Sequence, residues 1–430
     1  MRFRGRLESA SVHPGNVLLF GRSAMLSRWL LILFGLIVML CMGTVYAWSI
    51  FRTPLEQELA ISATQSLLPF TLVLVFYALV MPIAGFAIPR VGTRRTTAIG
   101  GLVIGCGYIL ASFAQDIGSL AFCYGAIGGT GIGIVYGVPI LVVSRWFPDR
   151  KGLAVGLTIV GFGLSPLITA PLANQLLAAY GVRPTLRLLG IAIAVIIVAL
   201  SLLMRLPPRC WLPDGSTEPT PQASAVAPAC RPRPLWRQRS FYALWSCYAI
   251  GTLVGLSAIG ISSPVGQEII AINPAVAASS VSLFALFNGV SRPLFGWLSD
   301  RFQPHHVALL SYGLVLIACV LMVNAQPGQV VSYLVAFSLF WFSLGGWLAM
   351  APTITLRFFD AERYSQNYGI VFTAYGAGAL VGTLLAGRLR DLFGSYGAVF
   401  YVMAALAILG SGIAALFLRR ERQLLPGTSA

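Results

Sequence analysis

Long apolar stretches recur along the whole chain and are separated by short polar segments. Runs of about 20 residues, the length that crosses a bilayer as a helix, occur twelve times. Their limits are 29–51, 66–89, 96–115, 119–143, 152–178, 187–205, 241–263, 277–300, 307–325, 330–357, 366–388 and 396–418. The runs are continuous rather than alternating, which excludes a β-barrel, and helices then satisfy the backbone in lipid. The pattern predicts an all-α polytopic membrane protein with twelve transmembrane helices.

Composition and charge agree with this prediction and give an orientation. The chain is 57% hydrophobic and 10% charged, whereas soluble domains carry about 25% charged residues. Its net charge of +16 comes from arginines clustered between apolar runs, which is typical of membrane topology signals and not of a nucleic-acid-binding face. With a cytoplasmic N-terminus, 23 of the 29 lysine and arginine residues lie inside and five, Arg52 among them, lie outside. We predict a multi-pass protein of a bacterial-type inner (plasma) membrane with both termini cytoplasmic.

The longest polar gap divides the apolar runs into six plus six. It is rich in Pro, Ala, Ser and Thr, which is typical of a mobile linker. The predicted organisation is a disordered tail at 1–24, an N-terminal half at 25–205, a cytoplasmic linker at 206–240, a C-terminal half at 241–420 and a tail at 421–430. Translation from Met25 is an alternative to translation from Met1.

The two halves share a repeated motif. After the second run stands Gly85-Phe-Ala-Ile-Pro89-Arg90, and 211 residues later stands Gly296-Trp-Leu-Ser-Asp300-Arg301. Both follow the pattern Gly-x-x-x-(Pro or Asp)-Arg. The repeat predicts two homologous six-helix halves with a substrate site near the membrane midplane between them.

At these residues the chain resembles the major facilitator superfamily, whose best-known signature is this loop. The first copy departs from the signature by having Pro89 in place of the acid, and the second has Pro304 in place of a later glycine. The resemblance implies that these loops take part in the conformational change. The residues matched to this motif are Gly85, Arg90, Gly92, Asp300 and Arg301.

One charge lies far from the end of any predicted span. Arg292 stands eight residues before Asp300 in the eighth run, about 12 Å along a helix and so near the midplane. Insertion of an arginine there costs about 2.5–3.5 kcal/mol or more, so a functional role is the default interpretation. No acid within the spans can neutralise it, which points to an anionic substrate as its counter-ion. Asn288 lies on the same helix face at i and i+4 and can orient that anion.

The eighth run, with Asn288, Arg292 and Pro293, resembles the bacterial oxalate:formate antiporters and the monocarboxylate transporters. The segments beginning at Tyr46 and Trp146 are similar to both groups as well. Two differences from these relatives concern the substrate and the coupling of transport. Tyr375 stands where the oxalate transporters have a second cation, which favours a monocarboxylate such as lactate or pyruvate. Asn288 stands where lactate transporters have an aspartate, so coupling stays open between proton symport and anion exchange of the oxalate:formate type.

The remaining candidates complete the predicted site. An aromatic lining is expected around a small apolar substrate body, formed by Tyr46, Tyr136, Trp347, Phe372 and Tyr375. The spans contain no catalytic triad, paired carboxylates or metal-ligand cluster, so we predict no enzyme activity, metal or cofactor. A channel and a drug exporter are less favoured alternatives. The expected partners are a small carboxylate anion, a co-transported proton and the lipid bilayer, with a monomer as the functional unit.

Overall fold

A computed structural model describes residues 18–19, 22–147, 151–208, 235–359 and 364–418. Within these ranges the chain is almost entirely helical, apart from a short antiparallel pair of strands, β1 (Leu18–Leu19) and β2 (Arg22–Ser23). The tail predicted at 421–430, most of the tail at 1–24 and most of the linker at 206–240 lie outside the described residues. Those three predictions stay untested.

The helices follow one another with short connections. They are α1 Ala24–Gly43, α2 Trp48–Leu59, α3 Ala63–Val91, α4 Thr93–Ala111, α5 Ile117–Leu120, α6 Gly129–Trp146, α7 Lys151–Tyr180, α8 Val182–Ser201, α9 Arg239–Glu268, α10 Pro274–Arg301, α11 Pro304–Val323, α12 Val330–Phe358, α13 Tyr364–Phe393 and α14 Gly397–Phe417. A 3-10 turn, Thr44–Ala47, joins α1 to α2, and a π-helical segment, Ala121–Gly128, joins α5 to α6. The result is twelve helical spans, each overlapping one predicted apolar run. The predicted all-α fold is confirmed.

Length and composition allow eleven of the described spans to cross a membrane. The remaining one is α4, whose 19 residues begin with Thr93, Arg94 and Arg95. The two arginines make the first turn polar, whereas the rest of α4 packs between α6 and α8. The helix therefore belongs to the bundle although its polar start lowers its mean hydropathy.

Local sequence explains where the helices begin and end. Ser62 and Gln65 form a reciprocal capping box at the start of α3, which satisfies two free backbone donors. Asn273 caps α10 ahead of Pro274, which needs no backbone partner at the first helical position. Gly92 turns the chain from α3 into α4 with a φ of 89°, a conformation that glycine adopts without strain.

The packing repeats between the two halves of the chain. Across the interface α3 packs against α13 and α7 packs against α10. The first contact joins the second span to the eleventh, and the second contact joins the fifth span to the eighth. The second and eighth spans are equivalent in the two halves, as are the fifth and eleventh, so the two contacts are equivalent. The arrangement agrees with the internal repeat and places the interface beside α10, which carries Arg292.

Glycines permit close helix packing throughout. A Cβ at Gly161 of α7 would lie 2.4 Å from the carbonyl oxygen of Leu36 in α1, and one at Gly131 of α6 would lie 2.6 Å from the backbone nitrogen of Ile104 in α4. Small residues at helix contacts are a common solution in lipid, where hydrophobic attraction between helices is absent.

Candidate functional site

Arg292 lies buried at the interface between the two halves and is 3% exposed. Its Nη1 donates a hydrogen bond to the carbonyl oxygen of Ile159 in α7 at 2.7 Å, and its Nη2 donates to Oδ1 of Asn288 at 3.1 Å. Its Nε has no partner among the described residues. None of the ion pairs between described side chains involves Arg292. Its neighbours therefore accept hydrogen bonds but leave its positive charge uncompensated.

Asn288 is fully buried one turn before Arg292 and holds the guanidinium in place. Its Oδ1 accepts from Arg292, and its Nδ2 donates to the carbonyl oxygen of Trp341 in α12 at 2.7 Å. Both ends of the amide thus bind protein atoms, so Asn288 connects Arg292 rigidly to α12. This geometry suits a positioning residue.

Gly163 in α7 is the point at which the N-terminal half reaches this pair. A Cβ at this position would lie 2.6 Å from Oδ1 of Asn288 and 3.1 Å from Nε of Arg292. The first distance is shorter than real Cβ atoms show, so a side chain here would displace the pair. The sequence carries no local signal for this contact, because the neighbours of Gly163 in space are not its neighbours in the chain.

Substitution of Gly163 with alanine is expected to lower transport about tenfold or more, because overpacking of a buried site costs about 1–3 kcal/mol. The rate of carboxylate uptake into proteoliposomes measures this effect. Gly156→Ala in the same helix is the matched control, since a Cβ there meets no atom within 4 Å. Equal uptake by the two variants would contradict the close approach at Gly163.

Six aromatic rings form a connected group at the same interface. We call this group the aromatic cluster, and its members are Tyr46, Tyr77, Tyr136, Phe162, Phe372 and Tyr375. The ring centroids of Tyr46 and Phe162 are 5.1 Å apart, those of Tyr77 and Phe372 are 5.2 Å apart, and those of Phe372 and Tyr375 are 5.0 Å apart. The hydroxyls of Tyr46 and Tyr375 lie 3.0 Å apart and hydrogen-bond across the two halves.

The aromatic cluster adjoins the buried charge through Phe162. The guanidinium carbon of Arg292 lies 5.9 Å from the centroid of the Phe162 ring. A site of this kind combines a fixed cation with rings and hydroxyls, which suits a small anion with an apolar body.

The structure thus places the seven predicted substrate residues in one region. Arg292 and Asn288 contact each other, and Tyr46, Tyr136, Phe372 and Tyr375 belong to the aromatic cluster. Trp347 lies one ring farther away, between Tyr248 and Tyr312, with centroid distances of 6.3 and 5.4 Å. Tyr248 in turn lies 6.3 Å from Phe372.

Five aromatic residues of this region were not predicted from the sequence: Tyr77, Phe162, Tyr248, Trp341 and Tyr368, whose ring centroid lies 5.7 Å from that of Phe372. An aromatic residue in an apolar run carries no signal for the face on which it lies. Phe162, which stands between Gly161 and Gly163, was the one with a sequence signal that could have identified it.

The predicted conformational-motif residues lie at one end of the bundle. Arg90 is exposed at the end of α3, and Gly85 has open space where a Cβ would stand. Arg301 is exposed at the end of α10, with its guanidinium carbon 4.7 Å from the Trp297 ring centroid. The side chain of Asp300 lies outside the described part of the chain. The role of the motif stays a prediction.

Arg52 lies at the opposite end of the bundle. The sequence assigned it to the outer side after the first span but did not predict its burial, and in the structure it lies in α2 with a fully buried side chain. Its Nε donates to Oγ of Ser66 at 2.9 Å, its Nη1 to the carbonyl oxygen of Gly260 at 3.0 Å and its Nη2 to the hydroxyl of Tyr396 at 2.8 Å. Gly260 and Tyr396 belong to the C-terminal half, so this arginine joins the halves.

Acidic side chains complete the contacts at this end. Glu56 accepts from Nη2 of Arg52 at 3.1 Å and from the Ser66 hydroxyl. Asp391 of α13 accepts from the backbone nitrogens of Ala63 and Thr64 at 3.2 Å each, at the start of α3. A carboxylate at a helix N-terminus is favoured by the free backbone donors and the helix dipole. We call Arg52, Glu56, Ser66, Gly260 and Tyr396 the Arg52 clasp.

The described residues form twelve helical spans in two related sets, with a buried cation and a cluster of polar aromatic residues at their interface, an architecture typical of membrane transporters. The comparison with known families agrees. The model of the Major Facilitator Superfamily matches residues 32–355 and 248–430. The chain belongs to the major facilitator superfamily and is a membrane transporter.

Individual relatives point the same way. The chain is 25% identical over 396 residues to the oxalate:formate antiporter of Oxalobacter formigenes, covering 92% of each chain. It is 28% identical over 337 residues to monocarboxylate transporter 13 of Rattus norvegicus, covering 77% of this chain and 75% of that protein. These relatives are transporters, which confirms the prediction that the chain is not an enzyme.

A solved structure supports the fold. The crystal structure of a bacterial homolog to the human lysosomal transporter Spinster, in an inward-facing and occupied conformation, superposes with a TM-score of 0.67. The alignment covers 90% of this chain and 96% of that chain at 13% sequence identity. At this identity the likeness concerns the fold alone.

Proposed function

We propose that this protein transports small monocarboxylates of the lactate or pyruvate type, with Arg292 as the residue that binds the carboxylate. The observation that carries the proposal is the buried guanidinium without a carboxylate partner among the described side chains. A carboxylate can accept hydrogen bonds from a guanidinium and balance its charge. The names of the relatives, which include monocarboxylate transporters, agree with this chemistry.

The balance of charge favours one carboxylate over two. Arg292 is the cation beside the aromatic cluster, and Tyr375, which the resemblance aligned with a second cation, contributes a neutral hydroxyl bonded to Tyr46. A dicarboxylate would therefore keep one charge uncompensated in a buried site, which is costly. Exchange of the oxalate:formate type is the second candidate, because the similarity to that antiporter extends over 92% of each chain.

Transport would proceed by alternating access between halves at 25–205 and 241–420. In this conformation the halves are joined at the Arg52 end by the clasp and by a hydrogen bond between the hydroxyls of Thr71 and Thr383. At the level of Arg292, the bond to Ile159 also crosses the interface. Rocking of one half against the other would break the clasp and open the site at the Arg52 end of the bundle. The positive-inside pattern favours an orientation in which both termini are cytoplasmic and the clasp is on the outer side of a plasma membrane.

The coupling ion we propose is a proton that moves with the substrate. The described side chains that contact Arg292 and the aromatic cluster include no carboxylate or histidine. The bound anion is therefore the group at this site to which we assign the proton. Proton symport then requires the proton to be shared at the bound carboxylate. Exchange requires no titratable group.

Uptake of labelled L-lactate into proteoliposomes, with and without an inward proton gradient, separates these mechanisms. We expect the gradient to stimulate uptake, with internal pH held constant. Vesicles preloaded with unlabelled lactate, formate or oxalate form the second arm. Stimulation by preloading and indifference to the gradient would favour exchange. Absence of uptake in every arm would contradict the proposed substrate class.

A further inference from the structure

Tyr248 of α9 carries a fully buried hydroxyl with no hydrogen-bond partner among the described residues. The hydroxyls of other buried tyrosines in the C-terminal half are bonded. That of Tyr312 donates to the carbonyl oxygen of Cys247 at 2.6 Å, that of Tyr333 donates to the carbonyl oxygen of Ser262 at 2.8 Å, and that of Tyr375 pairs with Tyr46. The Tyr248 hydroxyl therefore differs from these three hydroxyls, because it has no hydrogen-bond partner among the described residues.

Packing does not explain the presence of this hydroxyl. The ring of Tyr248 is stacked with Trp347 and tilted against Phe372, with both centroid distances at 6.3 Å. A phenylalanine would make the same ring contacts without burying an unsatisfied polar group, which is costly. The hydroxyl thus lowers stability in this conformation unless a ligand bonds to it.

Other phenol groups lie near the Tyr248 hydroxyl. Those of Tyr368, Tyr136, Tyr375 and Tyr46 interact with it electrostatically. The last three of these phenol groups also interact electrostatically with Arg292. Tyr248 and Arg292 therefore approach one group of residues from different helices, α9 and α10.

The indole of Trp347, which neighbours Tyr248, packs differently from the Tyr248 phenol. Nε1 of Trp347 also has no hydrogen-bond partner among the described residues. Its edge, however, lies against Gly251, where Nε1 would be 2.3 Å from a Cβ. Trp347 thus stacks on the ring of Tyr248 and packs against α9 at Gly251.

We propose that the Tyr248 hydroxyl is a specificity-determining contact that binds an uncharged oxygen, a hydroxyl or keto group, on a carboxylate held by Arg292. The inference rests on the proposed function and adds the second functional group of the substrate. A phenol can donate to or accept from a neutral oxygen, whereas a second carboxylate would require a further cation. The site then favours hydroxy and keto acids over plain fatty acids of equal length.

Two substitutions on either side of Trp347 test this assignment. Tyr248→Phe removes the unbonded hydroxyl, and Tyr312→Phe removes a hydroxyl that is bonded to the backbone. The full-length protein is purified in detergent, and the affinities for L-lactate, pyruvate and propionate are measured by calorimetry. L-lactate and propionate differ in one hydroxyl, so their affinity ratio reports on the contact.

In the wild type we expect L-lactate and pyruvate to bind more tightly than propionate. Tyr248→Phe should weaken L-lactate and pyruvate up to about tenfold and leave propionate within about twofold, as expected for loss of one hydrogen bond. Tyr312→Phe should leave the ratio unchanged while lowering the melting temperature. The melting temperature of Tyr248→Phe should equal or exceed that of the wild type, because no protein hydrogen bond is lost.

Three outcomes would overturn the inference. Tyr248→Phe could weaken all three ligands equally, Tyr312→Phe could change the ratio to the same extent, or the wild type could bind propionate as tightly as L-lactate. In the third case, binding that still depends on Arg292 would leave the proposed carboxylate function standing. A wild type that binds none of the three acids would overturn both the inference and the proposed function.

Discussion

Replacement of Arg292 with glutamine is expected to reduce carboxylate uptake by at least about 30-fold. Loss of one partner of a buried charged pair costs about 2–5 kcal/mol or more, and each 1.36 kcal/mol corresponds to a factor of about ten. Glutamine keeps a donor near Ile159 and Asn288 but removes the positive charge that the proposed substrate neutralises. Uptake of labelled L-lactate into proteoliposomes, normalised to reconstituted protein, measures the loss.

A second arginine provides the control for this substitution. Arg187 donates from Nε to Oγ of Ser112 at 3.2 Å, and its guanidinium carbon lies 4.4 Å from the Phe113 ring centroid. Like Arg292, Arg187 makes one hydrogen bond to a side chain and one contact with an aromatic ring. It lies in α8, which carries no member of the aromatic cluster. Arg187→Gln should leave uptake within about twofold, as is usual for substitutions away from a site. Retained uptake by Arg292→Gln, in a protein that melts like the wild type, would remove the basis of the proposed function.

Replacement of Arg52 with glutamine is expected to open the clasp end of the bundle. The side chain is fully buried, and glutamine cannot reproduce its bonds to Ser66, Gly260 and Tyr396 together. The ion pair with Glu56 lies within α2, and the Glu56 side chain is 27% exposed, so its loss bears little on the contact between the halves. The bonds that cross between the halves are those to Gly260 and Tyr396, and hydrogen bonds to a charged group contribute about 1.5–3 kcal/mol each. Their loss weakens the conformation in which the halves are joined, so the population should shift towards the open one.

Chemical labelling reports this shift. Thr71 is 1% exposed in this conformation, so a cysteine introduced there should react with an impermeant maleimide only when the clasp end opens. Arg52→Gln should raise the labelling rate of Thr71→Cys at least about tenfold and lower uptake. The parent chain without Thr71→Cys gives the background from its own cysteines.

An exposed ion pair near the same end is the matched control. Arg183 and Glu58 lie 3.3 Å apart with side chains 43% and 41% exposed. Such pairs contribute about 0–1 kcal/mol, so Arg183→Gln should change labelling little. Equal labelling in the Arg52 and Arg183 variants would show that the clasp does not hold this end closed.

The sequence predicted the fold well because its signal is local. Each of the twelve described spans corresponds to a run of apolar residues in the sequence. The runs at 66–89 and 330–357 agree with α3 and α12 to within a few residues. Arg292 was found for the same reason, since a charge inside such a run is conspicuous without knowledge of its neighbours. Asn288 followed from the helical period.

The sequence did not reveal features that depend on contacts between distant segments. Arg52 stands one residue beyond the apolar run at 29–51, so its position at the end of the span could be predicted but not its burial. Its burial depends on partners in α3 and α9 and on Tyr396, which no local pattern reveals. The direction of an aromatic ring is a tertiary property as well, which is why Tyr248 was not predicted. The role of Trp347, one ring away from the aromatic cluster, stays a prediction.

Binding of L-lactate and of lactamide to the purified wild-type protein tests the central claim most directly. The two molecules have the same shape and hydroxyl, but lactamide carries a neutral amide in place of the carboxylate. If Arg292 holds the substrate through its charge, L-lactate should bind at least about 30-fold more tightly, corresponding to about 2 kcal/mol for a charge-assisted contact. Equal affinity for the two molecules would contradict the account.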